Sequence, residues 1–267
     1  MSMRFKKCIL LSLNLFIILL LKGTENDTAG MARMGQLDSI FPPPKSVVAI
    51  AFTGGFLGKG KPLDEMEEYA GTTGKIVNCC RRFAYKRNKP FYGLVIGSGV
   101  SSRKSVRNAL KFIHQTNSKI ETIIVYGYSW GGDFAIELSK RLANKRQKVD
   151  LLFTLDATDG PLQNFTVDKK IPENVKLNYN FYQTENLGTS SGSDFIFRKG
   201  SGSDASSFDS PNSHGRANLV INPEKTSVIN QNLTGIGGIF HSNLDEKVFS
   251  IVLRHIANQH VFRPQEN

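Results

Sequence analysis

Thr122-Ile123-Ile124-Val125-Tyr126-Gly127-Tyr128-Ser129-Trp130-Gly131 is the stretch on which the reading of this chain turns. Its first half is a short apolar run rich in β-branched residues, the pattern of a buried strand. A segment with helical spacing follows, from Phe134 to Leu142. Between the two lies the pattern G-x-S-x-G. A serine on so sharp a strand-to-helix turn is a nucleophile elbow. Its backbone is strained, and the flanking positions pass neighbouring backbone too closely for a side chain. The turn lifts the Ser129 hydroxyl clear of the sheet. It also leaves the Trp130 N–H at a helix N-terminus, where it can stabilise an oxyanion. The pattern alone equally fits a Gly-rich turn with a surface serine; the strand before it and the helix after it favour the elbow.

A serine nucleophile needs a base, and the base needs an orienting acid. After such an elbow the chain order is Ser, then Asp or Glu, then His. The next apolar run, VDLLFTL at 149–155, ends on Asp156. A carboxylate at the carboxyl end of a parallel strand opens into the same crevice as the elbow. The position also suits a plain turn aspartate, and Asp159 is a rival. Asp156 is favoured because it comes first off the strand. Of the five histidines, His114 precedes the elbow and His214 lies in a Ser/Asp/Asn-rich stretch. His255 follows Val248, Ile251 and Val252 at helical spacing and reads as a packed side chain, and His260 is close to the C-terminus. His241 stands on a Gly-rich loop just before a helix-start signal, Ser242-Asn243-Leu244-Asp245, which is where the base belongs.

The second oxyanion donor should come from an upstream strand and loop. Residues 46–52, SVVAIAF, form such a strand and open into TGGFLGKG at 53–60. Gly55 or Phe56 is the expected donor. The loop lacks the G-x-x-x-x-G-K-[ST] spacing of a phosphate cradle.

A chain of 267 residues, 40% hydrophobic and 21% charged, has globular composition and room for one full core. An apolar strand at 92–96 precedes Val106, Ala109, Leu110 and Ile113 at helical spacing, and then come the elbow strand, its helix and the acid strand. Strands alternating with helices imply an α/β fold with a mainly parallel, doubly wound sheet and helices on both faces. No internal repeat is present.

The residues carrying chemistry resemble those of the α/β-hydrolase superfamily, in its lipase- and thioesterase-like serine hydrolases. The resemblance rests on GYSWGG, VDLLFTLDATDG, the strand NYNFYQT and the block IFHSNLDEKV, in that order, over about half the chain. It implies Ser129 as nucleophile, Asp156 as acid and His241 as base, with the acid on the strand directly after the elbow helix. The bulky Trp130 departs from the small or medium residue common there. The implied activity is hydrolysis of small-molecule or lipid esters without cofactor or metal. A catalytically silent binding protein and a serine peptidase or amidase are the alternatives.

At the N-terminus Arg4, Lys6 and Lys7 precede an apolar stretch from Cys8 to Leu21, of signal-peptide length and short for a membrane span. Residues 1–30 therefore read as a signal peptide or N-terminal anchor and 40–267 as the hydrolase domain, periplasmic or secreted. Adjacent Cys79 and Cys80 suggest no disulfide framework. The formal charge is +11. The cluster Arg81, Arg82, Lys86, Arg87 and Lys89 is either a solvated face or an attraction to an anionic membrane or envelope surface. No nucleic-acid-binding pattern accompanies it. Residues 187–218 are rich in Gly, Ser, Asp and Asn, a low-complexity loop or insertion between acid and base; it reads either as plain disordered surface or as a substrate-binding loop whose Phe195, Ile196, Phe197 and Phe208 contact an acyl chain.

Overall fold

The computed structural model describes residues 45–54, 61–62, 71–97, 102–116, 119–157, 169–183, 217–239, 243–259 and 262. The first strand, β1 (Ser46–Thr53), is buried along its whole length. Such a continuous apolar run is what a central parallel strand requires, since helices cover both faces. It pairs in parallel with β3 (Phe91–Gly97) on one side and with β4 (Ile120–Tyr128) on the other. The two-residue β2 (Lys61–Pro62) runs antiparallel to β3 at that edge. Beyond β4 come β5 (Leu151–Leu155), β7 (Leu177–Tyr182) and β9 (Ser227–Asn232), all parallel. The sheet order is β2-β3-β1-β4-β5-β7-β9, and β6 (Lys170–Ile171) pairs separately with β8 (Leu219–Val220).

Side-chain alternation along each strand divides the core in two. Val47, Ala49 and Ala51 of β1 pack with α1 (Gly71–Tyr85) and α4 (Leu244–Ala257). Val48, Ile50 and Phe52 pack with α2 (Ser102–Gln115) and α3 (Trp130–Ala143). The helices return each strand to the same direction, and right-handed crossovers then place them on both faces. The result is the mainly parallel, doubly wound sheet that the resemblance implies. Among the described residues no helix is long and apolar enough to cross a membrane.

Two boundaries differ from the sequence reading. The acid strand starts at Leu151, because Asp150 leaves the ladder. Its backbone N–H donates to the Ile123 carbonyl and its carboxylate accepts from the Ile123 N–H at 3.0 Å, while Val149 makes a lone bridge to Val175. The expected loop at 187–218 runs too far: Asn218 is 5% exposed and hydrogen-bonded into the sheet. Residues 184–216, with Phe195, Ile196, Phe197 and Phe208, lie outside the described residues, as does the segment 1–44.

The basic cluster is not one face. Arg81 donates to Asn78 Oδ1, Arg87 Nε donates to the Phe262 carbonyl and Lys89 pairs with Glu121 at 2.8 Å. Arg82 and Lys86 stay exposed. A denser set of exposed cations lies on α2, where Arg103, Lys104, Arg107 and Lys111 occur with no acidic residue on the helix. Cys80 is fully buried, and burial first, then Cys79, pushes its thiol far above the ordinary range. It is a packing residue of α1.

Candidate active site

Ser129 stands between the last residue of β4 and the first of α3. It is held at φ 55° and ψ −127°, a region that side chains other than glycine rarely enter. Its N–H donates to the Leu155 carbonyl at 2.8 Å, extending the β4–β5 ladder by one rung, and its own carbonyl accepts from the Gly132 N–H at 2.9 Å to start the helix. The chain thus passes from strand to helix in a single residue. Two glycines permit this. A Cβ on Gly127 would run into the Gly131 carbonyl, and a Cβ on Gly131 would run into the Phe52 carbonyl. The elbow is pressed against β1 with no room for a methyl group.

The Trp130 N–H opens α3, next to Ser129. The indole lies 5.7 Å from the Phe134 ring, and Phe134 meets Phe52 edge-on at 6.0 Å. The bulk at this position is therefore taken up by the α2/α3 side of the core, where it fixes the helix start. On the other side of Ser129, the end of β1 comes close: a Cβ on Gly54 would lie 2.9 Å from the Ser129 Cβ and 3.2 Å from Tyr128 Cδ1. The sequence reading passed over Gly54 in favour of Gly55 and Phe56, which both lie outside the described residues.

Asp156 follows Leu155, the residue whose carbonyl holds Ser129. It is fully buried and adopts φ 43°. Its N–H donates to the Phe181 carbonyl at 2.7 Å. The Gln183 N–H donates to Oδ1 at 3.2 Å and Gln183 Nε2 donates to Oδ2 at 3.3 Å. Among the described residues four non-glycine positions have positive φ. Asn88 and Arg146 end helices, where this conformation is ordinary. Ser129 and Asp156 are the other two, at the carboxyl ends of adjacent strands. The rival Asp159 lies outside the described residues.

Tyr128 is the last residue of β4, directly before the elbow. Burial, then Asp245, Asp156 and Glu246, push its phenol far above the ordinary range, so it stays protonated. Asp245 and Glu246 belong to the first turn of α4 and Asn243 is its N-cap residue. His241, two residues earlier, lies outside the described residues, as do His214 and His260. The other two histidines are committed elsewhere. His114, at the end of α2, touches Lys145 Nζ at the amino end of the strands. His255 stacks on Tyr179 with ring centroids 3.8 Å apart, about 16 Å along α4 from its start. Burial, then Arg254, lowers its pKa.

One turn after the elbow, burial and then Glu137 raise Asp133 to about 6, against a lowering by Lys140. On the α2/α3 side of β5 and β7 the core turns polar. Thr154 Oγ1 donates to Asn180 Oδ1 at 2.9 Å and accepts from Asn178 Nδ2 and Asn218 Nδ2. Asn180 Nδ2 reaches Asn230 Oδ1 on β9 at 2.9 Å. Nothing in the hydrophobic patterning announced this network; the repeated Asn of NYN at 178–180 was its only trace.

No protein-family model matches the chain, and no curated protein matches it. Among solved structures the chain is similar to Est1E from Butyrivibrio proteoclasticus, at 13% identity over 81% of this chain and 91% of that one, with a TM-score of 0.39. It is similar to a hyperthermophilic esterase from the archaeon Pyrobaculum calidifontis, at 15% identity over 80% and 76%, TM-score 0.40. It is also similar to the NocB thioesterase domain from the nocardicin cluster, at 10% identity over 81% and 96%, TM-score 0.40.

Proposed function

We propose that this chain is an exported serine hydrolase that cleaves carboxylic esters through Ser129, Asp156 and His241. One observation carries the reading: the conformation of Ser129, a non-glycine residue at φ 55° and ψ −127° between a strand and a helix. Strain of this kind costs about 1–3 kcal/mol and persists only where the surroundings enforce it. Here it holds Ser129 directly before the N-terminus of α3, with its N–H on the carbonyl of Leu155, the residue before the buried Asp156.

In the proposed reaction His241 takes the hydroxyl proton as Ser129 Oγ bonds to the ester carbonyl carbon. The carbonyl electron pair moves onto oxygen. The Trp130 N–H and the backbone after β1, at Gly55 or Phe56, hold that oxyanion. Collapse breaks the bond to the alcohol oxygen, which receives the proton from the imidazolium. Water then attacks the acyl-enzyme by the same route and the acid leaves. Asp156 holds the imidazole tautomer throughout. The signal-like stretch from Cys8 to Leu21 supports export. The cations Arg103, Lys104, Arg107 and Lys111 on the outer face of α2 support work near an anionic lipid or envelope surface.

The test is a p-nitrophenyl ester series from acetate to palmitate, with Ser129→Ala as the control. Each methylene buried in an apolar site adds about 0.8 kcal/mol, or about fourfold in kcat/KM. A rise with chain length supports a lipid esterase, and turnover of acetate alone supports a deacetylase. No turnover of any ester would overturn the reading in favour of an amidase or a silent binding protein.

A further inference from the structure

A carboxylate that is fully buried must find its hydrogen bonds inside the protein, because an unpaired buried charge costs several kcal/mol. Asp156 finds two of them on one residue. The Gln183 backbone N–H takes Oδ1 and its side-chain amide takes Oδ2, so that the carboxylate is gripped at both oxygens. Each oxygen of a carboxylate offers about two acceptor sites, so the Gln183 grip does not by itself use up the capacity of either. Gln183 is itself 1% exposed. It directly follows β7, whose Phe181 carbonyl accepts the Asp156 N–H.

Building on the triad reading, we propose that Gln183 is the positioning residue of this site, fixing the plane of the Asp156 carboxylate that serves the proposed base. The chemistry of the donor fits the task. A Lys or Arg here would compete with the imidazolium for the carboxylate charge. A neutral amide satisfies the oxygens and leaves the charge to the base. The amide network below the pair makes the grip rigid. Thr154, two residues before Asp156, is bonded to Asn178 and Asn180, two side chains of the strand that leads into Gln183. Asn218 and Asn230 extend the bracing to β9 without adding charge.

The test compares Gln183→Met, which keeps the shape without the donor, and Gln183→Glu, which puts a second carboxylate on Asp156, in the full-length protein at a temperature where circular dichroism shows both folded. Gln183→Met is expected to lose about tenfold in kcat with KM little changed. A carboxylate short of a donor holds protons more firmly, on itself or through the imidazole it faces. The acid limb of the kcat/KM profile should therefore move up by as much as about one pH unit. Gln183→Glu should fall further at pH 8. If neither variant folds, Gln183→Asn, an amide one methylene shorter, is the fallback: it should lose severalfold in kcat with its acid limb moved up, and wild-type kcat with an unmoved limb there would overturn the proposal. Wild-type kcat with an unmoved acid limb in every folded variant would overturn the proposal, including when only Tm falls. Asp156→Asn separates this from the triad reading. A loss of about 10⁴-fold there with an unaffected Gln183→Met removes only the positioning role. An active Asp156→Asn removes the triad itself.

Discussion

Replacing Ser129 by Gly should make the protein more stable while abolishing its chemistry. The proper comparison is Ser129→Ala, since both variants lack the hydroxyl and differ in backbone freedom. With alanine the chain must still hold φ 55° and ψ −127°, at about 1–3 kcal/mol. With glycine that strain disappears, but the unfolded chain gains freedom that offsets about 0.5–1 kcal/mol. Ser129→Gly should therefore exceed Ser129→Ala by about 0.5–2 kcal/mol, or a few degrees in Tm for a domain of this size. The assay is urea unfolding followed by circular dichroism, with the slope unchanged between variants so that the midpoint reports stability. Equal midpoints, or a higher one for alanine, would refute the strain and remove the observation on which the functional reading stands.

Gly131→Ala drives a Cβ into the Phe52 carbonyl, so β1 and α3 must separate. It should cost about 1–3 kcal/mol in urea unfolding and suppress covalent labelling of Ser129 by a fluorophosphonate; wild-type labelling would contradict the close packing. Asp133→Asn should behave differently at different pH. The folded-state pKa of Asp133 is raised to about 6, so its ionisation opposes folding. That penalty is absent below about pH 3.8, grows through the window to about 6 and is full above it. The asparagine variant should gain about 1–3 kcal/mol at pH 8 and almost nothing near pH 3, measured by Tm at both. A gain that does not depend on pH would rule out the ionisation.

The parts of the fold legible in the sequence were those with strong hydrophobic period. β1, β3, β4 and the helices α2 and α3 announce themselves through runs such as SVVAIAF and the spacing of Val106, Ala109 and Ile113. The edge strand β9, SVINQN, gave no such signal, because most of its side chains are exposed and its pairing with β7 rests on backbone groups and one amide pair, Asn180–Asn230. α1 was equally quiet. It carries Gly, Thr, Asn and Cys80 among its inward residues, which a hydrophobicity pattern counts poorly. At the site, the elbow could be read because strain, close packing and a helix start all restrict the same few residues to glycine and serine. Asp156 could be read because it ends a strand. Gln183 could not, since its partnership with Asp156 depends on the register of β5 against β7, which brings Leu155 opposite Phe181. The Thr154–Asn218 bond spans 64 positions and was invisible for the same reason.

The central claim is that Ser129 is a nucleophile, and fluorophosphonate labelling followed by peptide mapping of the folded protein tests it most directly. The account predicts a single adduct on the peptide containing Ser129, absent in Ser129→Ala and at least about a thousandfold slower in His241→Ala. An adduct on another serine, or none on protein shown to be folded, would contradict it.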